Sequence, residues 1–171
     1  MNAKPQKKKA KFSLAHYRKD ERIVELVKNT DHKTLAIWAI ACAERVLPYF
    51  EKEYPEDQRP RKAIETLKTW IKTSGIKIAV IRKASLDAHA AAREVGKDSA
   101  ARSAARAAGQ AVATAHVSTH SIGSAIYALQ AIHRATNVTN AHAAVATERE
   151  WQYQHLLRLK KEVASNLWEQ L

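Results

Sequence analysis

The sequence predicts an all-α fold, a single-domain bundle of six or seven helices with an alanine-rich core half. All four prolines lie at or before residue 60, so no proline interrupts a helix in the rest of the chain. Residues 84–146 hold 22 alanines in 63 positions and one aromatic residue, Tyr127. Apolar residues recur at spacings of three and four, and no segment alternates as a strand does. Because alanine adds almost no bulk, helices lined with it approach closely.

The first two helices are predicted over Lys19–Lys28 and from Asp31 to about Tyr54. Asp31 is a plausible N-cap for the second helix. An apolar stripe at spacings of three or four supports that helix: Leu35, Trp38, Cys42, Val46 and Phe50. Pro48 lies inside the pattern and is expected to kink the helix.

The third and fourth helices are separated by glycine and preceded by a proline-rich loop, residues 54–60. Pro60 opens the third helix, where a missing N–H costs nothing. Gly75 ends the connection, and residues 76–95 form a fourth helix that Gly96 stops.

The remaining helices follow the alanine pattern. Asp98 is expected to cap a fifth helix that runs to Ala115, and the β-branched run at 117–119 indicates a break or bend. A sixth segment continues through Ile132. After a loop at 137–140, a closing helix is predicted from about Ala141 to Trp168.

Half of the basic excess lies at the start of the chain. The net charge is +12, and residues 1–20 carry seven basic residues against Asp20. We expect residues 1–12 to be a disordered basic leader and residues 13–171 to form the helical domain. Such a leader can touch nucleic acid or an acidic partner, but a solvated segment is favoured, because no aromatic is interleaved with the lysines.

Several classes of protein are disfavoured by what the sequence lacks. Cys42 is the only cysteine and lies on an apolar face, which indicates core packing. No apolar run of membrane-spanning length and no secretory signal occurs, so a cytoplasmic protein without a membrane partner is expected. Phosphate-binding glycine loops and the zinc motifs HExxH and CxxC are absent. We therefore predict no catalytic residue and no cofactor.

A polar set punctuates the alanine-rich helices: Asp87, His89, Arg93, Arg106, His116 and His120. These residues either lie on exposed faces or converge as a network between the fourth, fifth and sixth helices. We predict that His89, Arg93 and His116 lie close together and partly shielded from solvent. His116 and His120 are one turn apart, so with His89 they are weak candidates for metal ligands.

A second set of charges surrounds the proline-rich loop: Glu44, Arg45, Arg59, Arg61 and Lys62. Two interpretations stay open. The charges are ordinary helix-end residues on a solvated face, or they form a mixed-charge surface for a protein partner.

Five stretches together resemble a known family: residues 38–50 (WAIACAERVLPYF), 54–70, 87–94, 105–132 and 148–157. They are similar to the bacterial putative immunity protein family, the immunity-protein-five-like domain. Its family-like positions here are Trp38, Cys42, Glu44, Arg45, Pro48, Pro60, Arg61, Trp70, His89, Arg93, His116 and His120. The resemblance implies an all-helical bacterial protein that neutralises a toxin of a polymorphic toxin system.

The leading functional hypothesis is therefore a binding protein whose partner is a cognate toxin. The first alternative is a helical metalloprotein or enzyme that uses His89, His116 and His120. The second is a nucleic-acid-associated protein acting through its basic leader and net charge. A homo-oligomer is a further option, since Trp151 and Trp168 on the closing helix could pair copies of the chain.

Overall fold

In the computed structural model, residues 20–168 are described, and seven helices lie within them. They are α1 (Glu21–Lys28), α2 (His32–Glu53), α3 (Arg59–Thr73), α4 (Ile78–Glu94), α5 (Ala100–Ala113), α6 (His120–Ala135) and α7 (Ala141–Trp168). No strand occurs in this part of the chain. The prediction of an all-α bundle of six or seven helices is confirmed. Residues 1–12, predicted to be a basic leader, lie outside the described residues.

Short polar side chains cap the N-termini of three helices by accepting a hydrogen bond from a backbone N–H. Asp31 accepts from Thr34 at the start of α2, as predicted. The prediction that Asp98 caps α5 is wrong by one residue, because Ser99 accepts from the N–H of Arg102. The carboxylate of Asp98 instead lies 3.4 Å from Arg102 Nη1 and 3.3 Å from Arg134 Nη2. At the end of α4, Gly96 adopts φ 72°, a conformation that glycine reaches without steric cost.

Helix α5 lies at the centre of the bundle and packs against α2, α3, α4 and α6. Ten of its residues are buried, and seven of these are alanines. A helix covered on several sides cannot have one narrow apolar stripe. Small side chains on every side therefore let four neighbours approach it.

The larger apolar side chains lie in the other half of the molecule. Trp38, Phe50 and Leu47 of α2 and Ile64 and Leu67 of α3 are almost completely buried. Pro48 lies within α2, on its exposed surface, and the helix continues to Glu53.

Buried polar groups link the helices where the side chains are small. The Ser124 hydroxyl of α6 donates to the carbonyl oxygen of Ala39 in α2 at 2.9 Å. The Gln152 amide of α7 donates to the carbonyl oxygen of Ala125 at 3.1 Å. Trp38 Nε1 donates to the carbonyl oxygen of Gln152 at 2.9 Å. These bonds satisfy groups that would be costly to bury alone, and they set α2, α6 and α7 relative to one another.

The predicted break near Val117 is present, because residues 114–119 connect α5 to α6. His116 therefore lies in the connection, whereas His120 is the first residue of α6. Within residues 20–168, each helix is too short or too polar to cross a membrane.

Candidate functional site

A line of polar residues crosses the central helix. Arg102, Arg106 and Gln110 follow one another at intervals of four in α5 and are partly exposed, whereas nearly all the rest of the helix is buried. That spacing places them on one face. Their side chains meet His120, Tyr127 and Arg134 of α6, and His89 of α4 lies nearby. We call these seven residues the polar seam.

Histidines occupy one end of the polar seam. His120 Nδ1 lies 2.7 Å from Gln110 Oε1, and because an amide oxygen only accepts, the histidine donates from Nδ1. The rings of His116 and His120 are 5.4 Å apart between centroids and tilted by 39°. The ring of His89 lies against Gly109 of α5. The structure therefore brings His89, His116 and His120 to the same region between α4, α5 and α6.

Two glycines inside helices provide the space for this arrangement. A Cβ at Gly109 would lie 2.9 Å from His89 Nε2, and a Cβ at Gly123 would lie 2.5 Å from Gln110 Oε1. Glycine within a helix costs roughly 0.5–1 kcal/mol relative to alanine. The close approach of His89 and Gln110 explains both glycines.

The histidines of the polar seam are neutral at neutral pH. Burial, together with the positive charges of Arg106 and Arg93, lowers the pKa of His89 to about 4. Burial, followed by the neighbouring His116, lowers the pKa of His120. Neutral imidazoles can donate or accept a hydrogen bond, so this end of the seam carries polarity without charge.

The weak metal-ligand candidates His89, His116 and His120 share a region but are not arranged as one ligand set. Among residues 20–168, no group of three or more His, Cys, Asp or Glu side chains is arranged to hold a metal ion. The metalloprotein alternative therefore gains no support from the geometry. A cleft of about 460 Å³ borders the histidine end, and its lining includes the polar residues His120, Gln110 and Thr119 and the apolar residues Val24, Ile122 and Ile126.

Arginines occupy the other end of the polar seam. Arg134 Nη1 donates to Ser103 Oγ at 2.8 Å, and Arg102 and Arg134 share the carboxylate of Asp98. Arg106 lies 5.8 Å from the centroid of the Tyr127 ring. Burial lowers the pKa of Arg134, and the positive charges of Arg102 and Arg106 lower it further. Three guanidinium groups near one carboxylate leave an excess of positive charge.

Two residues of the predicted polar set lie apart from the shielded groups. Arg93 is exposed at the end of α4, so the prediction that it is shielded from solvent is wrong. Arg93 shares a helix face with His89 but lies one turn further along, in the last turn of α4, where its side chain is exposed. Asp87 pairs with Lys83 at 2.6 Å on α4 itself.

The charges around the proline-rich loop belong to three separate groups of contacts, and Lys62 lies outside them. Arg61 donates to both oxygens of Glu51, at 2.8 and 3.0 Å, and Lys68 lies 2.7 Å from Glu44. These pairs tie α2 to α3. Arg59 pairs with Asp57 and Glu94, whereas Lys62 is exposed.

Arg45 points away from that group, toward α7. Its guanidinium donates to both oxygens of Glu148, at 2.9 and 2.8 Å, and lies 3.9 Å from the centroid of the Trp151 ring. His155 stacks on the same indole with centroids 4.8 Å apart. The Glu148 side chain is only 5% exposed, so Arg45 neutralises a buried charge. Burial, followed by the charge of Glu148, raises the pKa of the Cys42 thiol, which keeps it unreactive.

Reasoning from the sequence missed Gln110, Glu148 and the two helical glycines. Two signals for the polar seam are visible in the sequence: polar residues recur every four positions at Arg102, Arg106 and Gln110, and two glycines lie inside helical patterns. Nothing local indicates that Arg45 pairs with Glu148, which lies 103 residues away.

Comparison with known proteins identifies one family. A family model described as Imm-5 like putative immunity protein matches residues 25–159. No curated protein and no solved structure gives a significant match. The match covers α2 to α6 completely, half of α1 and most of α7. The chain therefore belongs to the Imm-5 like putative immunity protein family.

Proposed function

We propose that this protein is an immunity protein that binds and neutralises a toxin of a bacterial polymorphic toxin system. The observation that carries the proposal is the family match over residues 25–159. It extends across nearly all of the described bundle, so the family relationship concerns the whole fold rather than one motif. The toxin would be a protein partner, and neutralisation would follow from binding rather than from chemistry.

The side chains of the bundle support a binding role. Cys42, the one thiol, is fully buried, and its raised pKa removes it as a nucleophile. The histidines of the polar seam are paired with an amide or packed against a glycine. We therefore propose a non-enzymatic protein that acts in the cytoplasm, where a bacterium needs protection from a toxin acting inside the cell.

The genes beside the coding sequence offer the direct test. Each flanking open reading frame is expressed alone in a bacterial host, and any product that stops growth is expressed again together with this chain. We expect one product to be toxic alone and harmless when the chain is present. The purified pair should elute as one complex in size-exclusion chromatography.

Two results would contradict the proposal. One is that no flanking product is toxic, and the other is that a toxic product neither binds the chain nor loses its toxicity when the chain is present. The same column reports whether the free chain is a monomer or a homo-oligomer.

A further inference from the structure

Basic residues are concentrated on one helix pair. Between Glu65 and Glu94 the sequence contains six basic residues and a single acidic residue, Asp87; the six are Lys68, Lys72, Lys77, Arg82, Lys83 and Arg93. The chain outside residues 1–20 carries 22 basic and 16 acidic residues in total. Most of its excess charge therefore belongs to the second half of α3 and to α4.

Helix α4 lies at an edge of the bundle, where it packs on α3 and α5 and leaves an outer side uncovered. Leu86 is 63% exposed on this side, and Arg82 and Arg93 lie four and seven residues from it, on the same face. Ile78 and Val80 are also exposed, in the first turn. Val80 lies about 120° or more around the helix axis from Leu86 and Arg82, on another side of α4. We call Ile78, Arg82, Leu86 and Arg93 the α4 face. It combines aliphatic side chains with basic ones.

The two arginines of the α4 face differ from several other arginines of the bundle. Arg59, Arg61 and Arg45 each pair with a carboxylate of the chain. Within residues 20–168, no carboxylate lies within salt-bridge distance of Arg82 or Arg93. An arginine that is paired within the chain is already neutralised by its carboxylate, whereas Arg82 and Arg93 can pair with carboxylates of a partner.

Other positive charges lie on the helices next to α4. His89 of α4 packs against Gly109 of α5, and the charges of Arg106 and Arg93 both contribute to lowering its pKa. Arg102 of α5 and Arg134 of α6 share the single carboxylate of Asp98. Basic residues are therefore present on α4, α5 and α6.

We propose that the α4 face is the surface that docks on the toxin, against an acidic patch with an apolar centre. This inference rests on the proposed function and names the part of the chain that performs it. Leu86 and Ile78 would bury aliphatic surface in the contact. Arg82 and Arg93 would pair with carboxylates around it, and such pairs set orientation and association rate.

The composition of the α4 face favours a protein over the two other anionic partners. A nucleic acid backbone attracts Lys and Arg, but it offers no counterpart for exposed Ile78 and Leu86. A helix that lies on a membrane separates its apolar face from its basic face. In α4 the two kinds of residue are mixed, because Leu86 shares a face with Arg82 and Arg93. A folded protein can match such a mixture side chain by side chain.

The test uses the full chain and the toxin identified among the flanking genes, in an inactivated form. Two variants alter the α4 face: the double variant Arg82→Glu with Arg93→Glu, and Leu86→Asp. Their matched controls are Lys160→Glu with Lys161→Glu on α7, and Val138→Asp, since Val138 is 68% exposed in the loop before α7. All four substituted surfaces are solvent-accessible, and circular dichroism confirms that each variant is folded. Binding is measured by calorimetry at two salt concentrations.

We expect each α4-face variant to bind the toxin about tenfold or more weakly and to lose protection of growth, while both controls match the wild type. The charge-reversed variant should also lose most of the salt dependence of binding. If both α4-face variants bind as the wild type does, the docking surface lies elsewhere, although the immunity function stands. If the wild type binds no flanking product, the immunity function and the docking surface both fail. Tighter binding of the wild type to a DNA duplex or to anionic phospholipid vesicles than to the toxin would overturn the choice of partner.

Discussion

At the scale of single residues, two glycines make room for polar side chains of the neighbouring helix. Gly109 faces the ring of His89, and Gly123 faces the side chain of Gln110. Each glycine lies inside a helix, where alanine would be the better helix former by about 1 kcal/mol. The loss is offset because a half-buried polar side chain from the next helix occupies the space of the missing methyl group.

Replacing Gly109 tests this match. We expect Gly109→Ala to lower the free energy of unfolding by about 1–3 kcal/mol, since the new Cβ would lie 2.9 Å from His89 Nε2. In a His89→Ala background the same change should be neutral or stabilising, because the ring is gone and the helix preference of alanine remains. Urea unfolding of the four proteins of the cycle measures the coupling. Gly75→Ala is the control, with Thr73 O at 3.6 Å as its nearest contact. Equal effects of Gly109→Ala in both backgrounds would contradict the match.

His89 also makes a prediction about pH. Its folded-state pKa of about 4 lies below its ordinary value of 6.5, because burial and the charges of Arg106 and Arg93 disfavour the imidazolium. Below pH 6.5 the His89 ring binds a proton in the unfolded chain, whereas in the folded chain it stays neutral until the pH reaches about 4. The free energy of unfolding should therefore fall as the pH falls through this range.

The measurement has two parts. An NMR titration of the His89 ring should give a midpoint near 4, and urea unfolding from pH 7 to pH 4 should show a shallower decline for His89→Gln than for the wild type. A midpoint close to 6.5 would show that the His89 ring is solvated and would contradict the prediction that its protonation lowers stability.

At the scale of elements, charges between helices differ in what they contribute. The Arg61–Glu51 pair joins α2 and α3 at a partly exposed position, where an ion pair contributes roughly 1 kcal/mol or less. The Arg45–Glu148 pair joins α2 and α7 around a carboxylate that is almost completely buried. A buried charge without its partner is far more costly than an exposed one.

We therefore expect Arg45→Ala to lower the free energy of unfolding by about 3 kcal/mol, because Glu148 would stay buried without a counter-charge. Arg61→Ala serves as the matched control and should cost about 1 kcal/mol or less. Adding Glu148→Gln to Arg45→Ala should recover part of the loss, since an amide is cheaper to bury than a carboxylate. Thermal and urea unfolding check all three. Similar losses for Arg45→Ala and Arg61→Ala would show that the Glu148 site admits water.

At the scale of the whole molecule, charge and packing are distributed differently along the chain. Most of the largest buried apolar side chains belong to α2 and α3, and seven of the buried residues of α5 are alanines. The excess positive charge is divided between residues 1–20 and the α3–α4 pair. The α3–α4 charges border the packed bundle, so they can act as part of a shaped surface.

The basic leader, residues 1–12, is expected to contribute nothing to folding, because most of its positions are polar or small. Deleting it should leave the melting temperature unchanged and keep toxin binding, since the proposed contact lies on α4. Differential scanning calorimetry of the truncated chain measures the melting temperature, and isothermal titration calorimetry measures toxin binding. A drop of several degrees would show that the leader packs on the bundle.

Local information in the sequence determined the helices. The bounds of α2, α3 and α7, the cap at Asp31 and the break before His120 all follow from periodicity, proline and capping chemistry within a few residues. The alanine content of residues 84–146 also indicated that these helices would pack closely. Such features depend on backbone preferences and on which face of a helix is apolar, and both can be determined without the partner helix.

Only the tertiary structure decided which polar groups meet. The sequence placed Arg45 beside Glu44 and Arg61, but the rotation of α2 directs its guanidinium to Glu148 on α7. The sequence grouped Arg93 with the shielded histidines, whereas its place in the last turn of α4 leaves it exposed. A rotation of about 100° per residue changes the neighbour of a side chain completely. The choice therefore depends on how closely and at what angle two helices pack, and that is a property of the assembled core.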